Sequence, residues 1–280
     1  MKKFIAFSDC DGTLLFDDYK FSEYTINTVK DVYENGNYLI PVTARTLKNL
    51  KSIAKQLKID ELGGIIAGNN GAQIYDFKTN QYILNSIIDK KMIKEVFELY
   101  YSENDEDKEC KVNFSCENVI YSFGESENTK KWAEIMEQEF KVIKSYREII
   151  EDVVSISIIT KKGTNLEAYL HHFNKIKNKY GEQYRIDNYH NRVVSIAPKD
   201  IDKGYAVDII NKYLNNTGKF VTYGFGDSYN DFALLAAVDY GVAMQNALEE
   251  LKENAYDITD YPNYDDGVAK YINEKIINKK

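Results

Sequence analysis

The apolar positions of this chain follow two different patterns. In the first, short continuous apolar runs alternate with stretches of helical period. Phe4-Ile5-Ala6-Phe7 is a run of the kind that makes a strand buried on both faces. Residues 16–21 read as a polar loop. Ser22 is placed to cap a helix to about Asn35, with Ile26, Val29 and Tyr33 on one face and Gly36 as its stop. Residues 38–42 form a second buried strand. Thr46 caps a second helix with Leu47, Leu50, Ile53 and Leu57 inward, and residues 63–67 form a third strand. Strand, helix, strand, helix, strand is the order of a right-handed parallel sheet.

The pattern then changes. Residues 73–77 and 82–88 alternate like a hairpin. A helix is expected over 90–101, a solvated acidic loop over 104–109, strands over 111–116 and 119–123, and a helix over 129–140. Further strands are expected over 153–160, 184–188 and 192–196, with a helix over 165–179. Within 153–160, Val154, Ile156 and Ile158 share one face, expected to pack on helices of the same module. Ser155 and Ser157 share the other, expected to look toward the cleft of the first module. After Pro198 the first pattern returns, with helices over 203–214, 226–237, 247–254 and 267–277 and strands over 220–224 and 240–243. Lys279 and Lys280 read as a frayed end. The expected fold is α/β. A Rossmann-like parallel-sheet core with helices on both faces comes from residues 1–83 and 197–280, and an α+β cap over 84–196 is inserted in it.

Composition narrows the partners. The chain has 280 residues, 44% hydrophobic and 29% charged, an ordinary soluble balance. A formal net charge of −8 argues against nucleic acid or an acidic membrane as a partner. The apolar run after Met1-Lys2-Lys3 is too short for a signal peptide, and no later stretch is long enough to span a membrane. Three cysteines, Cys10, Cys110 and Cys116, make no C-x-x-C pair, so a cytoplasmic location is expected. His171, His172 and His190 show no zinc spacing and read as ordinary cap residues. Trp132 is expected in the cap core. No feature of the sequence sets the oligomeric state.

The chemistry sits where the first strand ends. Asp9 and Asp11 stand two positions apart and are followed by Gly12 and Thr13. Carboxylates this close repel unless a cation or proton lies between them, and strand ends are where open α/β sheets hold ligands. Cys10 points away from both aspartates and reads as a small buried residue. Alone, Thr43 would read as a helix cap and Lys203 as one of 36 basic residues. Arg45 suits either a phosphate contact or a surface ion pair. Asn69, Asn70 and Gly71 read as a loop-ordering turn.

Four segments in order change that reading: Asp9-Cys10-Asp11-Gly12-Thr13-Leu14, Thr43-Ala44-Arg45, Asp202-Lys203-Gly204, and Gly226-Asp227-Ser228-Tyr229-Asn230-Asp231. Together they resemble the haloacid dehalogenase superfamily, and most closely its Cof-type, sugar-phosphatase-like branch with a large α+β cap between the second and third motifs. Many members have Gly where this chain has Ala44. The resemblance implies a phosphomonoester hydrolase for a small phosphorylated metabolite, a sugar phosphate or cofactor phosphate. Asp9 is then the nucleophile and Asp11 the general acid and base. Gly12, Thr13, Thr43, Ala44, Arg45, Lys203 and Asn230 bind phosphate or substrate. Mg²⁺ is held by Asp9, the backbone carbonyl of Asp11, and Asp227, with Ser228 and Asp231 behind them. A phosphomutase of the phosphomannomutase type, or a catalytically silent phosphate-binding regulator, would share these motifs. The cap's three arginines, Arg147, Arg185 and Arg192, are not clustered in sequence. A mutase needs a second phosphate grip, so water is the favoured acceptor.

Overall fold

The computed structural model describes residues 2–17, 19–103, 110–124, 127–189 and 191–278. Packing divides the chain into two compact units, Met1–Asn85 with Asp202–Lys280, and Ser86–Ile201. The expected acidic loop at 104–109, His190, Lys279 and Lys280 lie outside the described residues.

In the first unit, β1 (Lys3–Ser8) is buried from Phe4 onward. Ser22 Oγ accepts from the Thr25 N–H at 3.0 Å and starts α1 (Glu23–Glu34), and Gly36 ends it at φ +66°. β2 (Tyr38–Pro41) follows, then α2 (Leu47–Gln56), whose cap Thr46 accepts from the Asn49 N–H at 3.3 Å. β3 (Ile65–Gly68), β4 (Gln73–Asp76) and β5 (Gln81–Asn85) form a separate antiparallel sheet. The third strand was expected to continue the parallel sheet. It meets the β2 end through a single parallel bridge, Val42 to Ala67. Asn69, Asn70 and Gly71 all have positive φ and reverse the chain at once, so β4 pairs back on β3.

The second unit contains α3 (Lys90–Tyr100), β6 (Cys110–Ser115), β7 (Val119–Ser122), α4 (Glu127–Ile135), β8 (Glu139–Val142), β9 (Ser155–Thr160), α5 (Leu166–Tyr180), β10 (Tyr184–Tyr189) and β11 (Val193–Pro198). The sheet order is β10-β11-β9-β6-β7-β8. Ile156, Ile158, Phe114 and Val194 pack with Val96 and Phe97 of α3 and Tyr169 of α5. The aliphatic face of β9 is therefore the packed one. Ser157 stands opposite Ser195 and Asn113 on the other face. Two expectations fail here. The helix expected to Phe140 stops at Ile135, because Glu137 turns to φ +57° and Gln138 Nε2 donates to Cys116 O at 2.7 Å, which releases β8 to run beside β7. Trp132 is 53% exposed, since α4 buries Thr129 and Ala133 and leaves residue 132 on its outer flank.

The chain returns to the first unit with α6 (Lys203–Tyr213), β12 (Phe220–Gly226), α7 (Phe232–Ala236), β13 (Tyr240–Ala243), α8 (Glu249–Glu253), β14 (Asp257–Ile258) and α9 (Gly267–Tyr271). Its main sheet is parallel throughout, in the order β14-β13-β12-β1-β2, with helices on both faces. The two-residue β14 had no readable signal in sequence. Strand order reverses between β1 and β12, and ligands bind at such a crevice in open α/β sheets. Among the described residues, no helix is long and apolar enough to cross a membrane.

Candidate active site

Asp9 follows β1 directly and Asp227 follows β12, so the two face each other across the point of reversal. The Asp9 N–H still donates to Phe225 O at 2.9 Å, which ties the start of the loop to the ladder. The chain then folds over tightly: the Leu15 N–H donates to Cys10 O at 2.8 Å, with Gly12 at φ +72°. A Cβ on Gly12 would lie 2.6 Å from Asp227 Oδ2. Glycine is therefore required twice, for the backbone angle and for the close approach. Thr13 Oγ1 donates to Asp227 Oδ1 at 3.0 Å. Cys10 is fully buried, and burial pushes its thiol up, away from any reactive thiolate.

Lys203, the first residue of α6, is fully buried. Its Nζ lies 2.8 Å from Asp9 Oδ1 and 2.5 Å from Asp231 Oδ1. The other Asp231 oxygen accepts from the Asp227 and Ser228 N–H groups, each at 3.0 Å. Both Asp231 oxygens are thus spent on orienting Lys203 and the start of the post-β12 turn. Asp9, Asp227 and Asp231 offer carboxylate oxygens within 4.8 Å of one another.

Three carboxylates meet one ammonium in this cluster, and the charge imbalance appears in the ionisation. Burial, then Asp231 and Asp227, push Asp9 up to about 7 from an ordinary 3.8, although Lys203 pulls it down. Burial, and then Asp231, raise Asp227 to about 6. For Lys203, burial pulls the ammonium down, and Asp9 and Asp231 more than offset it, so it is held charged. A single lysine does not outweigh burial and two further carboxylates. A hard divalent cation fits this donor set: it is rich in carboxylate oxygens, carries surplus negative charge, and has no sulfur or imidazole.

The second motif is arranged around Asp11 rather than Asp9. Arg45 Nε and Nη2 grip the two Asp11 carboxylate oxygens at 2.7 and 2.5 Å. Burial pulls the guanidinium down, and Asp11 more than offsets that pull. Arg45 makes this ion pair from a buried position, being only 5% exposed. Thr43 is buried and its Oγ1 accepts from the Arg45 N–H at 3.3 Å. Ala44 is exposed and has no positive φ, so the turn is made without the glycine many members carry. Asn230 Nδ2 donates to Asn70 Oδ1 at 3.3 Å.

Some contributors were not foreseen. Asn246 Nδ2 donates to Gly12 O at 2.7 Å and Asn263 Nδ2 to Leu15 O at 2.9 Å, so the C-terminal segment pins the first loop from below. Asn49 and Tyr19 flank Arg45. The one signal for Asn49 was an amide on the otherwise aliphatic face of α2.

Residues 6–272 match the family model described as haloacid dehalogenase-like hydrolase. The chain belongs to that family. Within this family, 5-amino-6-(5-phospho-D-ribitylamino)uracil phosphatase YcsE of Bacillus subtilis is 26% identical over 275 residues, covering 96% of this chain and 94% of its own. A putative phosphatase of Haemophilus influenzae is 27% identical over 286 residues, covering 96% and 97%. A haloacid dehalogenase-like hydrolase crystal structure from Bacteroides thetaiotaomicron superposes with a TM-score of 0.84 at 19% identity, covering 98% of this chain and all of its own, 100%. At that identity the match shows a shared fold, and it extends through the inserted α+β unit.

Proposed function

We propose that this chain is a Mg²⁺-dependent phosphomonoester hydrolase that cleaves a small phosphorylated metabolite, a sugar phosphate or cofactor phosphate, through an aspartyl-phosphate on Asp9. The observation that carries the reading is the buried Asp9–Lys203–Asp231 ion cluster facing Asp227 at the reversal of the sheet. In this reading the first unit is the catalytic core and the inserted unit is the substrate-reading cap. Asp9, the Asp11 carbonyl and Asp227 would hold Mg²⁺, which when bound neutralises phosphoryl oxygens and the surplus carboxylate charge.

Asp9 attacks phosphorus. The bond from phosphorus to the leaving oxygen breaks, and Asp11 supplies the proton that oxygen takes. Water then attacks the aspartyl-phosphate, Asp11 takes its proton, and the Asp9–phosphorus bond breaks to release orthophosphate. Lys203 supports the phosphoryl oxygens, and Asp231 keeps Lys203 in place. Hydrolysis is favoured over mutase chemistry because Arg185, one of the second unit's three arginines, is already engaged with an acid and lies away from Arg192 on the sheet. Arg185 is paired with Asp187 at 2.8 Å and stands opposite Ala197, not Arg192.

The test follows orthophosphate release from a panel of sugar and cofactor phosphates, with and without Mg²⁺, for wild type and Asp9→Asn. Mg²⁺-dependent release by wild type and none by a folded Asp9→Asn variant is expected. Substantial turnover by Asp9→Asn, or a positional isomer with negligible orthophosphate, would overturn it.

A further inference from the structure

The second unit holds a cavity of about 310 Å³ beside the start of α3 and residues 146–153. Small-molecule pockets begin at about 300 Å³, whereas close-packed interiors leave few voids larger than a water molecule. Ile88, Ile93 and Val153 line it and are buried, so its inner wall is aliphatic. The Ile88 N–H donates to Val153 O at 2.7 Å and ties two parts of that wall together. Asp89, Lys90, Arg147 and Asp152 also line the cavity and are exposed, which puts charge at its mouth.

Several acids there are spent on donors of this chain. Asp89 accepts from the Met92 N–H at 2.8 Å and from the Tyr184 hydroxyl. Glu151 accepts from the Asn118 N–H at 3.1 Å and from Asn118 Nδ2 at 3.3 Å. Glu148, next to Arg147, accepts from the Lys144 and Ser145 N–H groups, each at 2.8 Å. Arg147 and Asp152 are not spent. They carry opposite charges and line the same cavity, yet among the described residues neither forms an ion pair. The Arg147 guanidinium has only the Tyr146 ring, 5.8 Å from its Cζ.

We propose that this cavity binds a free apolar α-amino acid, with its carboxylate on Arg147, its ammonium on Asp152 and its side chain against Ile88, Ile93 and Val153. The proposal does not depend on the phosphatase reading. An α-amino acid carries both charges on one carbon and its apolar body on the same carbon, which matches a charged mouth over an aliphatic wall. A planar guanidinium suits a carboxylate. The lining as a whole, Asp89, Glu151 and Asp152 against Lys90 and Arg147, disfavours an anion that brings no ammonium with it. An amine without a carboxylate would leave the Arg147 donors unused.

The experiment titrates the full chain with L-leucine, leucinamide, N-acetyl-leucine and L-alanine by calorimetry, in wild type, Arg147→Gln and Asp152→Asn. Both substituted residues are exposed and hold no other side chain in an ion pair, so the variants are expected to fold. Wild type should bind leucine about tenfold or more tightly than leucinamide or N-acetyl-leucine, the effect of one hydrogen bond to a charged group. Alanine should bind more weakly than leucine, because it leaves the aliphatic wall uncovered. Arg147→Gln should erase the preference for leucine over leucinamide and keep the preference over N-acetyl-leucine. Asp152→Asn should do the reverse. Leucine should also shift the δ1-methyl NMR signals of Ile88 and Ile93. No binding of leucine at millimolar concentration, equal binding of all four compounds, unchanged discrimination in both variants, or methyl shifts confined to other isoleucines would each overturn the proposal.

Discussion

Replacing Lys203 with methionine removes the cation of the cluster while keeping a stem of similar length. Nζ sits 2.8 Å from Asp9 Oδ1 and 2.5 Å from Asp231 Oδ1, and the side chain is 0% exposed. Deleting one partner of a buried ion pair costs about 3–5 kcal/mol, because the remaining charge stays buried without compensation. The variant has one escape, protonation of Asp9. In the metal-free wild type the Asp9 carboxyl is already raised to about 7 from 3.8. A carboxyl raised in the folded state contributes stability at low pH and loses it as pH climbs through the folded value. Lys203 is the main group pulling Asp9 down, so its loss sends Asp9 higher still. Between about pH 4 and pH 7 both proteins carry the proton when folded and lose stability in parallel. Above 7 only the variant still carries it, and the gap widens by up to about 1.4 kcal/mol per pH unit. Urea unfolding followed by circular dichroism, with chelator present, at about pH 6 and about pH 8.5 measures this directly. A gap below about 1 kcal/mol at the higher pH, or one that does not grow between the two, would refute the assignment of Lys203 as the buried counter-charge.

Two further outcomes follow from the same cluster. Mg²⁺ should bind more tightly and raise the melting temperature more at about pH 8 than at about pH 5.5, since Asp9 near 7 and Asp227 near 6 must shed protons to become ligands; pH-independent affinity by titration calorimetry would contradict it. Gly12→Ala should cost about 1–2 kcal/mol for placing a side chain at φ +72° and should also displace Asp227 Oδ2, 2.6 Å from the new Cβ, so Mg²⁺-induced stabilisation should fall with turnover, and wild-type values of both would count against it.

Much of the first unit was legible because its signals are local. Ser22 and Thr46 each cap the helix expected of them, and buried strands read as unbroken apolar runs. The motif residues were legible as types at fixed spacings. Relations between distant segments were not. Nothing near Arg45 in sequence says that its partners are Asp11 and Asn49, and nothing near Gly12 names Asn246. Residues 129–140 misled for a local reason. Helical period persists through Phe140, yet Glu137 turns to positive φ and Gln138 donates to Cys116 O, which ends the helix early. β14 was invisible because two residues carry no period.

The central position of β1 has a consequence for how the protein comes into being. One edge of β1 is satisfied by β2, which leaves the ribosome soon afterward, whereas the other waits for β12, made only after the whole insertion has been synthesised. Ser86–Ile201 is one continuous segment and holds all the strands of its own sheet, so it is able to complete itself during that interval. Meanwhile the nascent amino-terminal half presents an unpaired apolar strand edge, the feature most prone to pair wrongly with other chains. Asp9 is translated near the beginning and its ammonium partner Lys203 far downstream, so a chain that has not yet reached Lys203 lacks the cluster. The charged cluster thus assembles only once β12 has joined the sheet.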